Sequence, residues 1–194
     1  MAESDIVICP HCSAKNRVPA HGGRQAAKCG RCHQPLALAA GAERSGPRIL
    51  TLRCSQCRTK NRIPEDKLKA GAKCGRCAAP LQHQDINTGR TVMVTDANFA
   101  QTVLNSPLPV LLYSWASWCS VCGSTGPQVD QIALDTRGRI RVGKLNIEAN
   151  PQLASQFNIL SVPTFLIFDS GQLKERLTGA LPAHDLMMKM AAYI

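Results

Sequence analysis

The stretch S-W-A-S-W-C-S-V-C-G-S, residues 114–124, holds Cys119 and Cys122 with two residues between them. Four earlier cysteine pairs have the same spacing: Cys9/Cys12, Cys29/Cys32, Cys54/Cys57 and Cys74/Cys77. The 10 cysteines of the chain therefore form five C-x-x-C knuckles. The sequence must decide whether all five perform the same chemistry, because this spacing serves both metal binding and dithiol redox reactions.

The four earlier knuckles belong to an internal duplication. Residues 9–36 begin C-P-H-C-S-A-K-N-R-V-P, residues 54–81 begin C-S-Q-C-R-T-K-N-R-I-P, and both end in an A-K-C-G-R-C-x-x-P-L segment. Each copy reads C-x2-C-x16-C-x2-C, which is the spacing of a zinc ribbon. We therefore predict two structural zinc ions, each held by four thiolates: Cys9, Cys12, Cys29 and Cys32 in the first ribbon, and Cys54, Cys57, Cys74 and Cys77 in the second.

Both zinc sites are predicted to be closed and structural. Four sulfurs complete a tetrahedral shell and leave no position for water or a substrate. His11 and His33 lie near the ligands of the first copy but have no counterparts in the second, so histidine is not a required ligand. Gly30 and Gly75 are expected to supply the backbone freedom that each second knuckle needs.

The charge of the chain is concentrated in its first half. Residues 1–90 contain 16 Lys and Arg against 6 Asp and Glu, a net of +10, whereas residues 91–194 carry 7 against 7. Basic residues such as Arg58 and Arg76 are interpreted as offsetting the charge of the thiolates. Because the basic half contains no aromatic residue on which a base could stack, we do not expect nucleic-acid binding.

These patterns divide the chain into predicted domains: ribbon 1 at residues 1–40, a linker at 41–50, ribbon 2 at 51–84 and an α/β domain at 85–194. The N-terminus has no signal-peptide pattern, and no apolar run is long enough to span a membrane. We therefore expect a protein of the reducing cytoplasm, where thiolates bind metal, with no membrane partner.

The second half alternates strands and helices in the order β-α-β-α-β-α-β-β-α. Helices are expected from Thr95 or Asp96 to Leu104, from about Cys119 towards Arg137, after Asn150, and over the last dozen residues. This order predicts a central mixed sheet with helices on both faces. Sites in such sheets collect at the carboxyl ends of parallel strands, which is where Cys119 falls.

Cys119 and Cys122 have no second knuckle in this half with which to complete a metal site. They lie between a buried strand and the start of a helix, whose free N–H groups and dipole stabilise a thiolate. The pair is therefore predicted to exchange electrons, with Cys119 as the nucleophile and Cys122 as the resolving thiol.

At this point a family resemblance can be stated. The segments W-A-S-W-C-S-V-C, K-L-N-I-E-A-N-P, S-V-P-T-F and G-A-L, together with Pro127, resemble the thioredoxin family over about residues 90–194. With a preceding ribbon, the chain is similar to the zinc-containing thioredoxin 2 group of bacterial thioredoxins. That group has one ribbon, and this sequence has two.

The resemblance implies a thioredoxin fold and an enzyme, a thiol–disulfide oxidoreductase that acts on protein disulfides in electron transport and is recycled by an NADPH-dependent thioredoxin reductase. It implies catalytic roles for Cys119 and Cys122, a cis proline at Pro163 and a lysine near the active site at Lys144. The residues implied to border the substrate groove are Trp118, Val162, Gly179 and Ala180.

Two positions depart from the family pattern. The usual Gly-Pro between the cysteines is Ser120-Val121, and the buried aspartate of the preceding strand is Tyr113. A tyrosine, with an ordinary pKa of about 10, is not an equivalent base at neutral pH. We expect slower resolution of the mixed disulfide and a more oxidising potential than that of an ordinary thioredoxin.

An alternative from another class stays open: a zinc-dependent redox-sensing or protein/nucleic-acid binding module, in which oxidation ejects metal and turnover is small. The second ribbon also has two open roles. It either widens the choice of substrates or shields the active face.

Overall fold

The computed structural model describes residues 4–9, 12–19, 28–34, 49–68, 70–82, 85–86 and 88–194. The chain divides into two compact units, Met1–Gly46 and Pro47–Ile194. The first unit contains the first ribbon, and the second unit contains the second ribbon together with the α/β half. Most of the predicted linker, residues 41–48, lies outside the described residues, and the predicted domain boundaries stay predictions.

Each ribbon begins with an antiparallel hairpin of the same register. In the first, β1 (Ser4–Ile8) pairs with β2 (Lys15–Pro19); in the second, β3 (Ile49–Arg53) pairs with β4 (Lys60–Pro64), and a short helix α1 (Glu65–Leu68) follows. The first knuckle of each ribbon occupies the turn between the two strands. The apolar residues of the second ribbon pack with the zinc-ligand candidates Cys54 and Cys74 in a small core that also includes Leu108.

The knuckles reverse direction at the residue after their second cysteine, not at a glycine. That residue has a positive φ in all four knuckles: Ser13 (56°), His33 (54°), Arg58 (60°) and Ala78 (58°). Its N–H donates to the carbonyl of the first cysteine at 2.9 Å. The predicted role of Gly30 and Gly75 is therefore wrong, because neither has a positive φ and a Cβ at either would meet only ordinary contacts.

The α/β half contains a five-stranded mixed sheet, as predicted. Its strands, in the order β5-β7-β6-β8-β9, are β5 (Val92–Val94), β6 (Val110–Trp115), β7 (Arg141–Asn146), β8 (Thr164–Asp169) and β9 (Gln172–Thr178). The strands β5, β7 and β6 are mutually parallel, and β8 and β9 run antiparallel to their neighbours. The strand β6 is central and buried, and Cys119 follows its carboxyl end.

Helices cover both faces of this sheet. Helices α2 (Ser120–Asp135) and α4 (Ala183–Met190) contribute to one core cluster, and α3 (Pro151–Gln156) and a π-helix (Ala100–Leu104) contribute to the other. The sequence predicts an α-helix before β6, but the helix Ala100–Leu104 is a π-helix. None of the helices in the described part of the chain has the length and apolar character needed to span a bilayer.

The predicted helix caps are divided between two helices. Thr95 accepts a hydrogen bond from the N–H of Asn98 at 3.3 Å, as a local cap would. Asp96 instead accepts from the N–H of Leu153 at 3.0 Å, so its carboxylate stabilises the first turn of α3.

The second ribbon lies at the end of the sheet where β6 begins. Arg53 donates its backbone N–H to the carbonyl of Pro107 at 2.7 Å, and Leu108 packs within the core of the ribbon. A six-residue strand is about 20 Å long, which separates this interface from Cys119 at the other end of β6. The second ribbon therefore does not shield the active face, because its contacts lie at the opposite end of the sheet.

Candidate active site and metal centres

Cys119 and Cys122 form a disulfide at the N-terminus of α2, with their Cα atoms 5.3 Å apart. Cys119 is the N-cap residue, and its sulfur accepts the N–H of Cys122 at 3.1 Å. Cys122 is buried, whereas Cys119 is only half-buried. A partner can therefore reach the first sulfur and not the second, which fits an attacking thiol followed by a resolving one.

Two further segments meet at this disulfide. The Val162 carbonyl lies 3.7 Å from the sulfur of Cys119, and the Val162–Pro163 peptide bond is cis, which confirms the predicted isomer. Gly179 donates its N–H to the Pro163 carbonyl at 2.9 Å and has a φ of 97°, which favours glycine there. The structure thus brings together the predicted groove segments, with Ala180 exposed beside Gly179 and Trp118 exposed beside Cys119.

Lys144 is near the disulfide but is paired elsewhere. It lines a cavity of about 270 Å³ with both cysteines and Tyr113. Its ammonium contacts both carboxylate oxygens of Asp130, on α2, at 2.7 and 2.8 Å. Although burial raises the pKa of Asp130, hydrogen bonds from Lys144 and Thr91 hold that pKa below its ordinary value. No motif in the sequence marks Asp130 as a residue of this site.

Tyr113 occupies the place of the missing aspartate as a neutral hydrogen-bond donor. Its ring is buried and stacks on Phe165 with the centroids 5.3 Å apart. Its hydroxyl donates to the carbonyl of Cys122 at 3.0 Å. Burial raises the pKa of Tyr113, so even less of the phenolate, the only form that could act as a base, is present at neutral pH than in water. It therefore fixes the first turn of α2 and accepts no proton from the buried thiol.

Glu148 holds the loop before the active-site helix. Its carboxylate accepts the N–H of Ser117 at 2.6 Å, and this hydrogen bond lowers the pKa of Glu148. Ser117 precedes Trp118, so the contact positions the exposed indole beside the reactive sulfur. No local pattern in the sequence indicates this contact, because the two partners are 31 positions apart.

The eight remaining cysteines form two four-sulfur clusters. Within each cluster all four sulfurs lie within 4.8 Å of one another. The close pairs are Cys9–Cys32 and Cys12–Cys29 at 3.6 Å, Cys54–Cys77 at 3.6 Å and Cys57–Cys74 at 3.5 Å. Sulfurs about 2.3 Å from a tetrahedral zinc ion lie about 3.8 Å apart, so both donor sets fit this metal.

Hydrogen bonds to Cys29 and to Cys74 favour the thiolate that a metal requires. The N–H groups of Cys32 and Arg31, assisted by the Asn16 amide, lower the pKa of Cys29 to about 6 despite its burial. In the second ribbon, Asn61 and the N–H of Arg76 contact Cys74 in the same way. These contacts orient the ligands, as hydrogen-bonded groups around metal sites commonly do.

Comparisons with known proteins agree with this geometry. Residues 90–192 match the thioredoxin family, and residues 8–34 and 53–79 each match the N-terminal zinc ribbon of thioredoxin 2. The chain belongs to the thioredoxin family. This membership confirms the predicted thioredoxin fold and identifies the chain as a thiol–disulfide oxidoreductase with zinc-ribbon modules.

Individual thioredoxins match about half of the chain. Thioredoxin 1 of Nostoc sp. is 44% identical over 101 residues, which are 52% of this chain and 94% of that protein. The thioredoxin of Synechocystis sp. is 42% identical over 104 residues, 54% and 97% of the two chains. A bifunctional thioredoxin reductase/thioredoxin of Mycobacterium leprae is 42% identical over 94 residues, 48% of this chain and 20% of that one.

Proposed function

We propose that the chain is a cytoplasmic reductant of protein disulfides that works through the Cys119/Cys122 dithiol. The observation that carries the proposal is the disulfide at the start of α2, with its outer sulfur accessible and its inner sulfur buried. Trp118, Val162, Gly179 and Ala180 border the groove that receives the substrate, and Pro163 orients the loop behind it.

The reaction is a pair of thiol–disulfide exchanges. The Cys119 thiolate attacks a substrate disulfide, forms a mixed disulfide and releases the other substrate sulfur, which takes a proton. The Cys122 thiolate then attacks the sulfur of Cys119 and releases the second substrate thiol. Two electrons and two protons pass to the substrate, and the enzyme is left with the Cys119–Cys122 disulfide.

The resolving step lacks the carboxylate base that the family resemblance implies. The Tyr113 hydroxyl donates a hydrogen bond to the Cys122 carbonyl, and hydrogen bonds from Lys144 and Thr91 hold the pKa of Asp130 below its ordinary value despite burial. Neither side chain is therefore a strong proton acceptor. The Lys144 ammonium, on the wall of the same cavity, favours the thiolate electrostatically. Resolution should therefore be slower than in an ordinary thioredoxin, and the potential more oxidising.

An NADPH-dependent thioredoxin reductase completes the cycle. The fusion of reductase and thioredoxin in the Mycobacterium leprae relative supports this choice of partner. The two ribbons each hold one structural zinc ion, a proposal that the sulfur spacing supports.

Substitution of the active-site thiols tests the proposal. Cys119→Ser should abolish insulin disulfide reduction, because it removes the nucleophile. Cys122→Ser should keep the attack and accumulate a mixed disulfide that non-reducing gels detect. Turnover retained by Cys119→Ser would refute the mechanism. Metal analysis of the same preparations should give about two zinc ions per chain, and equilibration with glutathione would measure the potential.

A second candidate function rests on the exposure of one ligand. Cys77 is exposed, unlike the other cysteines of its cluster, and exposed thiolates oxidise first. A redox-sensing module would release zinc at low peroxide concentrations while turning over disulfides only slowly. Measuring zinc release and insulin reduction on one preparation separates the two functions.

A further inference from the structure

The segments around the disulfide carry no charged side chain. They comprise residues 114–127, 158–164 and 178–182, and none of them contains Lys, Arg, Asp or Glu, although 19% of the whole chain is charged. The contacts from Cys119 to Val162 and from Pro163 to Gly179 bring these three segments together. The three segments nearest to the reactive sulfur are therefore uncharged.

Exposed apolar side chains stand on the same rim. Trp118 is 66% exposed, Val121 is 48% exposed, and Leu160, at 86%, is the most exposed large hydrophobic residue in the described part of the chain. Leu160 lies two residues before Val162, so their Cα atoms are within about 7 Å. A single exposed leucine needs no explanation, but three apolar groups around one reactive atom mark a binding surface.

Three ionised groups border these segments. Glu148 accepts the Ser117 N–H, Lys144 contacts Asp130, and Arg176 donates to the Asn158 carbonyl at 2.8 Å. None of them belongs to the apolar surface formed by Trp118, Val121 and Leu160. A charged residue of a substrate placed on that surface would lose water, whereas an apolar residue would gain by burial there. The charge pattern thus favours one class of substrate.

We propose that this enzyme prefers protein disulfides whose cysteine is flanked by apolar, uncharged residues, and that Leu160 determines this preference. The inference rests on the proposed function and names its substrate class. Leu160 acts by covering the residue next to the substrate cysteine, while Cys119 performs the exchange.

Three disulfide peptides that differ only in the residue before the cysteine, Leu, Asp or Lys, provide the probe. With the full-length wild-type enzyme, kcat/KM should be about fivefold or more higher for the Leu peptide than for either charged one. The rate with the Leu peptide should change little between about 0.05 and 0.5 M NaCl, because its contacts with the uncharged segments involve no ion pair.

Leu160→Lys should reverse part of this order. It should raise kcat/KM for the Asp peptide several-fold at low salt and lose that gain at high salt, because the new charge is exposed. Leu134→Lys is the matched control: Leu134 is 58% exposed on α2, and at 12 residues beyond Cys122 it lies about 18 Å along the helix. It should leave the wild-type order unchanged.

The outcomes separate this inference from the proposed function. Equal wild-type rates with all three peptides, or an unchanged order in Leu160→Lys, would overturn the inference while disulfide reduction stands. A wild-type enzyme that reduces none of the peptides and no insulin would overturn the proposed function and this inference with it. Thermal unfolding of both lysine variants checks that each is folded.

Discussion

The two ribbons share a metal-binding pattern but differ at the two positions that flank their first knuckle. In the second ribbon these positions are Arg53 and Arg58; in the first they are Ile8 and Ser13. The backbone is alike in both, since Ser13 and Arg58 have φ values of 56° and 60°. The difference therefore lies in what the side chains reach.

Arg53 attaches the second ribbon to the thioredoxin sheet. The residue is 1% exposed, and its guanidinium donates to the Asp169 carboxylate at 2.7 Å and to the Tyr193 carbonyl. Asp169 ends β8, so the buried ion pair lies at the end of the sheet opposite the disulfide. A buried arginine whose carboxylate partner is removed becomes strongly destabilising.

Arg58 makes the second attachment. Its guanidinium donates to the Leu104 carbonyl at 2.6 Å and to the Asn105 side chain at 3.4 Å. Gly171, in the β8–β9 turn, leaves room for this contact, because a Cβ there would lie 2.7 Å from the Leu104 carbonyl and 3.1 Å from Arg58. The turn and the arginine fit each other.

In the second ribbon, we therefore expect metal binding to contribute to the stability of more than the ribbon itself. Both arginines are adjacent to cysteines of the proposed zinc site, so an ion that fixes the knuckle would also fix their positions. A ligand that binds only the folded state stabilises every element folded with it. The first copy has Ile8 and Ser13 in place of these arginines, so its metal would lack these two connections to the sheet.

The largest effect should come from removing one ligand in each copy. We expect Cys54→Ser to lower the melting temperature of the thioredoxin half by about 10 °C or more, because metal and both attachments are lost. Cys9→Ser should lower it by about 2 °C or less. Tryptophan fluorescence reports on this half, since Trp115 and Trp118 are the only tryptophans. Equal shifts in the two variants would contradict the comparison.

Replacing Arg53 by the residue of the first copy tests the attachment without touching a ligand. Arg53→Ile should cost about 3 kcal/mol, or about 6 to 12 °C, because it leaves the Asp169 carboxylate unpaired and largely buried. Zinc content should stay at two. Adding Asp169→Asn to Arg53→Ile should recover part of the lost stability. If the double variant instead loses the sum of the two single losses, Arg53 and Asp169 do not interact.

The sequence was informative where the chemistry is local. Ligand spacing located both clusters, strand–helix order located the disulfide, and the residues around Pro163 indicated the cis bond, because each signal lies within a few positions. The attachment could not be found in this way. Arg53 and Asp169 are 116 positions apart, and Arg58 was interpreted as one of several residues that offset thiolate charge. Only the folded chain shows which arginine is buried.

The conformation of the knuckles and the type of the first helix in the α/β half also could not be predicted, although both involve residues close in sequence. Glycine is common where φ is positive, yet here the residue after the second cysteine of each knuckle is not glycine. In the second ribbon, Arg58 and Ala78 adopt the left-handed conformation and donate their N–H groups to the carbonyl of the first cysteine. The apolar spacing of residues 100–104 fits a helix but does not distinguish an α-helix from a π-helix.

Arg58→Ser, the second exchange towards the first copy, should have a smaller effect. It removes hydrogen bonds to the Leu104 carbonyl and to Asn105 from a half-buried arginine, at a cost of about 1 to 2 kcal/mol. Ser13 shows that serine adopts the same backbone conformation, so the knuckle and its metal should persist. Thermal unfolding with zinc analysis checks this; a loss of zinc would mean that Arg58 supports the metal site directly.

The smallest loss of stability is expected from an ion pair outside the ribbon, Asp130 with Lys144. Asp130 is 51% exposed in its contact with Lys144, against 12% for Asp169 beside Arg53. Asp130→Asn should therefore cost less than about 1 kcal/mol at neutral pH. Because the folded state lowers the pKa of Asp130, its contribution is present above an ordinary aspartate pKa of about 3.9 and is lost as the pH falls through the lower folded value. Urea unfolding of wild type and variant should thus converge on acidification. If Asp130→Asn lowered the free energy of unfolding as much as Asp169→Asn does, burial would not strengthen the Arg53–Asp169 pair. The attachment of the second ribbon would then contribute no more to stability than an exposed ion pair.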